Sequence, residues 1–178
     1  LQPLCVVSIM LQRFRANGPA LLVPLAWIVV GAAHAEYVSL EALTIAHGVM
    51  AVILAGFVVL SWSDMRSGAL RTWWIIVAIG FVITLSGLIG LLSTPLNRGL
   101  LRVSLSGWML LPAIGFIDTG RRSGAVPLTT FGAAVISVAG TVLYFISGSE
   151  MVLIFAGLAL VGVGQTIGIV DAVIRYQI

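Results

Sequence analysis

Apolar runs of about 18 or more residues recur along the whole of this chain, each long enough to cross roughly 30 Å of hydrocarbon. Nothing else in the sequence constrains the fold so strongly. Inside a bilayer there is no water to bond backbone N–H and C=O groups. Each run must therefore satisfy them internally, and a run that does so alone is an α-helix. Composition agrees: 60% of the 178 residues are hydrophobic and 8% are charged, against about a quarter charged in an ordinary soluble domain. Mean hydropathy is +1.17. The expected fold is all-α, a single transmembrane domain over residues 1–178 with six transmembrane helices, in a multi-pass protein of the cell membrane.

The spans are expected at about Pro19 to Ala35, Leu40 to Trp62, Arg71 to Leu92, Leu100 to Ile117, Ala125 to Ile146 and Met151 to Val173. Residues 1–16 read as an N-terminal interfacial segment, too short to span. Residues 1–9 belong either to the native protein or to an upstream extension of a gene that starts at Met10. The first span also imitates a secretory signal, with Ala33-His34-Ala35 as a small-x-small site. It is read as a retained first helix, because a short, proline-bearing span can still cross. Ser93-Thr94-Pro95-Leu96-Asn97 is the clearest breaker in the chain. Pro112 falls inside the fourth span between Gly107 and Gly115, where it removes a backbone donor and is expected to kink the helix.

All nine cations are arginines. They stand singly or in pairs between apolar runs rather than on one basic face, which excludes a nucleic-acid surface. Six spans place Arg13, Arg15, Arg66, Arg71, Arg121, Arg122 and Arg175 on one side, and Arg98 and Arg102 on the other. Short arginine-rich loops stay cytoplasmic, so both termini are expected inside, with Trp62, Trp73 and Trp74 at the inner water–lipid boundary. The single Cys5 leaves no intrachain disulfide and no multi-cysteine metal site.

Arg66-Ser67-Gly68-Ala69 recurs letter for letter as Arg122-Ser123-Gly124-Ala125, with a looser copy at Arg15-Ala16-Asn17-Gly18-Pro19. Asn17, Ser67 and Ser123 are helix N-cap candidates, since Asn and Ser side chains accept from orphaned first-turn N–H groups. Asp64, Asp118 and Asp171 close the even spans, roughly 50 residues after each cap, the rhythm of one two-helix unit used three times. Three hairpins follow, at about 17–65, 66–120 and 121–178. The aspartates pair most naturally with Arg66, Arg121 or Arg122, and Arg175 as interfacial anchors of topology; an acidic entrance for ions or protons is the sharper alternative.

Chemistry-bearing residues are few. His34 ends the first span and His47 lies a turn or two into the second, with Met50 on the same face three residues on. Glu36, Tyr37, Glu41, Glu150 and Met151 share their side of the membrane. Imidazole and thioether are suitable ligands for haem b or copper, so His34 and His47 are candidate cofactor ligands, and His47 with Met50 a candidate metal site. Against this, His34 sits near the surface and His47 roughly 10 Å deeper. In the sixth span Gly157, Gly162, Gly164 and Gly168 surround Gln165 and Thr166. The Gly164-x-x-x-Gly168 step allows close approach of another helix. Together with Pro112 it marks a packing face or, alternatively, the wall of a solute path.

Without lysine there is no phosphate loop of the G-x-x-x-x-G-K type, and no H-E-x-x-H, G-x-S-x-G or C-x-x-C pattern appears. No acid pairs of the kind used in proton relays lie at span centres. In length and span count alone the chain resembles the small substrate-capturing subunits of some vitamin importers, a likeness of architecture that carries over no residue. Three functions are compatible with these features. The first is a non-enzymatic accessory subunit that works through helix association in the lipid bilayer, with other membrane subunits as partners. The others are a small-solute transporter or channel, and a haem- or copper-binding redox or assembly factor.

Overall fold

A computed structural model describes residues 20–122 and 128–176, with side chains through Ile174. The described residues form six helices: α1 (Ala20–His34), α2 (Leu40–Leu60), α3 (Gly68–Leu92), α4 (Arg98–Arg122), α5 (Leu128–Ile146) and α6 (Met151–Tyr176). The last five are long and apolar enough to cross a membrane, and α1 is a shorter apolar helix over its described length. Arg13, Arg15, Asn17 and Ser123 lie outside the described residues, as does the segment 1–16. Arg175 lies within α6, its side chain outside the description.

The observed ends depart from expectation where local capping acts. Helix α4 begins at Arg98, two residues earlier than expected, because the Asn97 side chain accepts from Leu100 N–H at 3.2 Å and its carbonyl accepts from Leu101 N–H at 3.3 Å. Ser39 caps α2 in the same way, accepting from Ala42 N–H at 3.1 Å. Ser67 does stand at the N-cap of α3 with extended backbone, φ −143° and ψ 162°, yet its side chain makes no cap bond. Among the described residues side-chain caps thus act at α2 and α4, and the expected Ser67 bond is corrected.

The centre of the bundle is built by α4, α5 and α6 with α1 against them. Ala113 and Phe116 of α4, Ala133 and Ala134 of α5 and Ile169 of α6 form one buried cluster, with Ala20 and Val23 of α1 and Trp73 of α3 packed on it. Met109 of α4 with Leu158 and Val161 of α6 form a second, covered by Trp27 and Val30 of α1 and Tyr144 of α5. The most extensive helix pair is α5 with α6, followed by α3 with α4; α2 packs on α3. Of the five long helices α2 buries least, 11% of its most apolar stretch against 44% for α6, and among the described residues it packs chiefly on α3 at one edge of the bundle. Large exposed apolar side chains such as Val52, Val59, Val82 and Val135 would be a liability in water. On a membrane-spanning bundle they face lipid, which is as apolar as they are.

Candidate functional site

The polar centre of the bundle grows out of Pro112. A proline has no N–H, so the carbonyl four residues before it loses its helical donor. That carbonyl belongs to Trp108, and α4 runs through Pro112 from Arg98 to Arg122 all the same. Gln165 of α6, only 2% exposed, supplies the missing donor: its Nε2 donates to Trp108 O at 2.8 Å and to Met109 O at 3.2 Å. Its Oε1 accepts from Trp27 Nε1–H of α1 at 3.0 Å. The Trp108 indole in turn donates to Thr84 Oγ1 of α3 at 2.9 Å. One chain of bonds thus ties α1, α6, α4 and α3 together at the buried core. In a region without water, a neighbouring helix is what makes an internal proline tolerable.

Small residues let those helices approach. A Cβ added at Gly140 of α5 would come 2.7 Å from Gly157 O, and one at Gly157 would come 2.8 Å from Gly140 O, so the two backbones touch. At Gly164 the same addition meets Ser137 Oγ at 2.8 Å, and at Gly168 it meets the Phe116 ring at 2.6 Å. The hydroxyls nearby bond back along their own helices: Thr166 to Gly162 O at 2.6 Å, Ser137 to Ala133 O and Thr141 to Ser137 O at 2.8 Å each. Pro112, Gly164, Gln165, Thr166 and Gly168 are thus all engaged within the bundle.

The histidines face different partners. His34 Nδ1 lies 2.8 Å from Val30 O, and a carbonyl can only accept, so Nδ1 carries the proton. In that tautomer Nε2 is the acceptor for the Tyr144 hydroxyl of α5, 2.9 Å away, and the two rings meet edge to face, centroids 5.7 Å apart. His47 Nδ1 lies 3.0 Å from Leu43 O, which fixes the same tautomer. Its ring edge lies by Gly87 of α3, where the Ser104 hydroxyl of α4 also packs. Met50 is partly buried one turn further along α2. Thus His34 is joined to α5 while His47 packs toward α3 and α4. Among the described residues no group of three or more His, Cys, Asp or Glu could hold a metal ion.

At the other ends of the spans two of the aspartates, Asp118 and Asp171, tie neighbouring helices together. Asp118 accepts from Thr72 Oγ1 of α3 at 2.6 Å and pairs with Arg122 Nε at 2.8 Å. Asp171 of α6 accepts from Thr130 Oγ1 of α5 at 3.3 Å. Asp64 accepts from Ser63 Oγ at 3.1 Å. Arg66 is exposed beside it in the α2–α3 turn. Beside Asp118, Trp73 Nε1 donates to Thr119 Oγ1 at 3.0 Å. These threonines were not singled out in the sequence, where a hydroxyl one helix away from a carboxylate leaves no local signal. Trp27, Trp108 and Tyr144 were also missed, although a proline four residues after Trp108 calls for a donor from another helix.

Two open apolar hollows lie on the surface. One, of about 330 Å³, is lined by Thr166, Ile167, Val170, Asp171 and Ile174 of α6. The other, of about 490 Å³, lies between Ile117 and Arg121 of α4 and Phe131, Ala134, Val135 and Val138 of α5. Neither reaches the Gln165 network. No protein-family model matches the chain, and searches of the curated proteins and of the solved structures find no match either.

Proposed function

We propose that this chain is a non-catalytic subunit of the cell membrane that works by helix–helix association with another membrane protein. The observation that carries this is the state of its inner polar groups. Gln165, Trp27, Trp108 and Thr84 are committed to bonds between helices, and among the described residues no buried side-chain nitrogen or oxygen lacks a partner. A catalytic centre or a solute path needs polar groups that can be lent to a substrate; a scaffold needs them closed. Helix α2, the least buried of the five long spans, is the face for the partner. In this reading the helices form three hairpins, repeats of one unit, with both termini cytoplasmic.

The test is extraction from native membranes in mild detergent, followed by sizing. A stoichiometric complex is expected, and Val52→Trp, on the exposed face of α2, should dissociate it while the helical content of the chain stays the same. A chain that elutes alone under every gentle condition sinks the proposal.

A second reading keeps His47 as a ligand of haem b or copper. Its support is the Nδ1–H bond to Leu43 O, which leaves the Nε2 lone pair as the coordinating atom, the arrangement common among metal-bound histidines. An absorption spectrum and metal analysis of the purified protein decide it: a Soret band or stoichiometric copper that is lost in His47→Ala supports it, and a blank in both ends it.

A further inference from the structure

The α2–α3 turn holds an arginine that neither the central network nor the histidines use. Arg71 lies in the first turns of α3, its guanidinium carbon 5.1 Å from the Trp62 ring centroid and 5.1 Å from that of Trp74. The two indoles meet edge to face, centroids 4.7 Å apart. Trp74 is fixed by its Nε1–H bond to Val58 O at 2.9 Å, while Trp62 is 45% exposed. Ring faces hold a guanidinium through its charge and leave the N–H donors around its rim available. Among the described residues no carboxylate or carbonyl takes those donors. Asp64, the acid of this turn, accepts from Ser63, and Arg66 adds a second exposed cation.

We propose that this turn binds the phosphate of an anionic phospholipid. Arg71 presents two parallel N–H bonds to the phosphate oxygens, the geometry in which arginine exceeds lysine. Trp62 and Trp74 hold that fork at headgroup level, where indoles concentrate. Arg66 disfavours the choline of a zwitterionic lipid and favours a headgroup with net negative charge. The lipid, rather than a free ion, is the occupant because exposed Val59, Leu60, Leu70 and Ile75 flank the turn and offer an apolar surface for acyl chains.

Native mass spectrometry of the full chain, released from mild detergent with equal phosphatidylglycerol and phosphatidylcholine of matched chains, tests this. Phosphatidylglycerol adducts are expected to dominate, and Arg71→Ala to weaken them about fivefold. Arg71→Lys, which keeps the charge and loses the fork, should lose most of the preference. Arg98→Ala, on another turn, should leave it unchanged. Equal retention of both lipids by the unaltered chain overturns the proposal, as does full retention by Arg71→Ala or Arg71→Lys, or displacement of the lipid by equimolar inorganic phosphate. If Arg71→Ala fails to fold, Trp62→Ala at its exposed position carries the test: reduced phosphatidylglycerol binding with unchanged circular dichroism supports the site, and unchanged binding refutes it.

Discussion

Gln165 of α6 donates its side-chain amide to the backbone carbonyl of Trp108 in α4 at 2.8 Å, and Pro112 is the reason that carbonyl is free to accept. Two residues that would each weaken a membrane helix alone, a proline and a buried amide, cancel each other's defect. The pair also fixes the register of α4 against α6, since one carbonyl in α4 has lost its own donor to the proline.

The relationship predicts a coupling. Gln165→Leu strips the Trp108 carbonyl and the Trp27 indole of partners together, and should cost about 1–3 kcal/mol of stability. Pro112→Ala restores a helical N–H to Trp108 O. In that background Gln165→Leu should cost about 1 kcal/mol less, because one of the two orphaned groups is satisfied again. Thermal or denaturant unfolding in detergent, run as a double-mutant cycle, measures the difference; strictly additive losses would show that Gln165 does not serve the proline.

The α5–α6 contact makes a second, positional prediction. Gly140 and Gly157 approach each other's backbone so closely that a side chain on either meets main-chain atoms, which cannot rotate away. Gly140→Val and Gly157→Val should each destabilise by about 1–3 kcal/mol. Gly56 and Gly132 have nothing within 4 Å of an added Cβ, and Ala there should be neutral or slightly stabilising. Melting temperatures of the four variants settle it; similar losses at all four would mean that α5 and α6 do not meet at this register.

The helical content was legible because apolar length is a property of each segment by itself, and α2, α3, α5 and α6 start or end within a few residues of expectation. Asn97 moved the start of α4, since a cap bond is a matter of local geometry. Pro112, Gln165 and Gly164 stood out as unusual in a membrane helix, yet their joint purpose did not, because it depends on which helix lies beside which. His34 and His47 were grouped by their side of the membrane. Their partners, Tyr144 and the Gly87–Ser104 contact, are set by tertiary packing that no spacing reveals.

Orientation is open to direct measurement. The arginine balance predicts that the α2–α3 turn lies inside and the α3–α4 and α5–α6 turns outside. In a Cys5→Ser background, exposed Ser63→Cys should react with an impermeant maleimide only after the membrane is opened. Exposed Thr94→Cys and Ser149→Cys should react in intact cells. The reverse pattern would invert the topology and move the Arg71 site to the outer leaflet.

Tyr144 separates a structural His34 from a ligating one. With Nδ1 donating to Val30 O, the lone pair on Nε2 is taken by the Tyr144 hydroxyl. If that bond is the whole role of His34, Tyr144→Phe keeps the ring packing and loses about 1 kcal/mol. His34→Ala then costs more, because the ring and its edge-to-face contact go too, and neither variant changes the absorption spectrum. If His34 instead ligates haem, Tyr144→Phe removes a competitor for Nε2 and should raise haem retention, while His34→Ala abolishes it. Purifying the three proteins with added haem and comparing their Soret absorbance and melting temperatures distinguishes the outcomes. The bonded geometry favours the first, since a nitrogen already accepting a 2.9 Å hydrogen bond must give it up before it can bind iron.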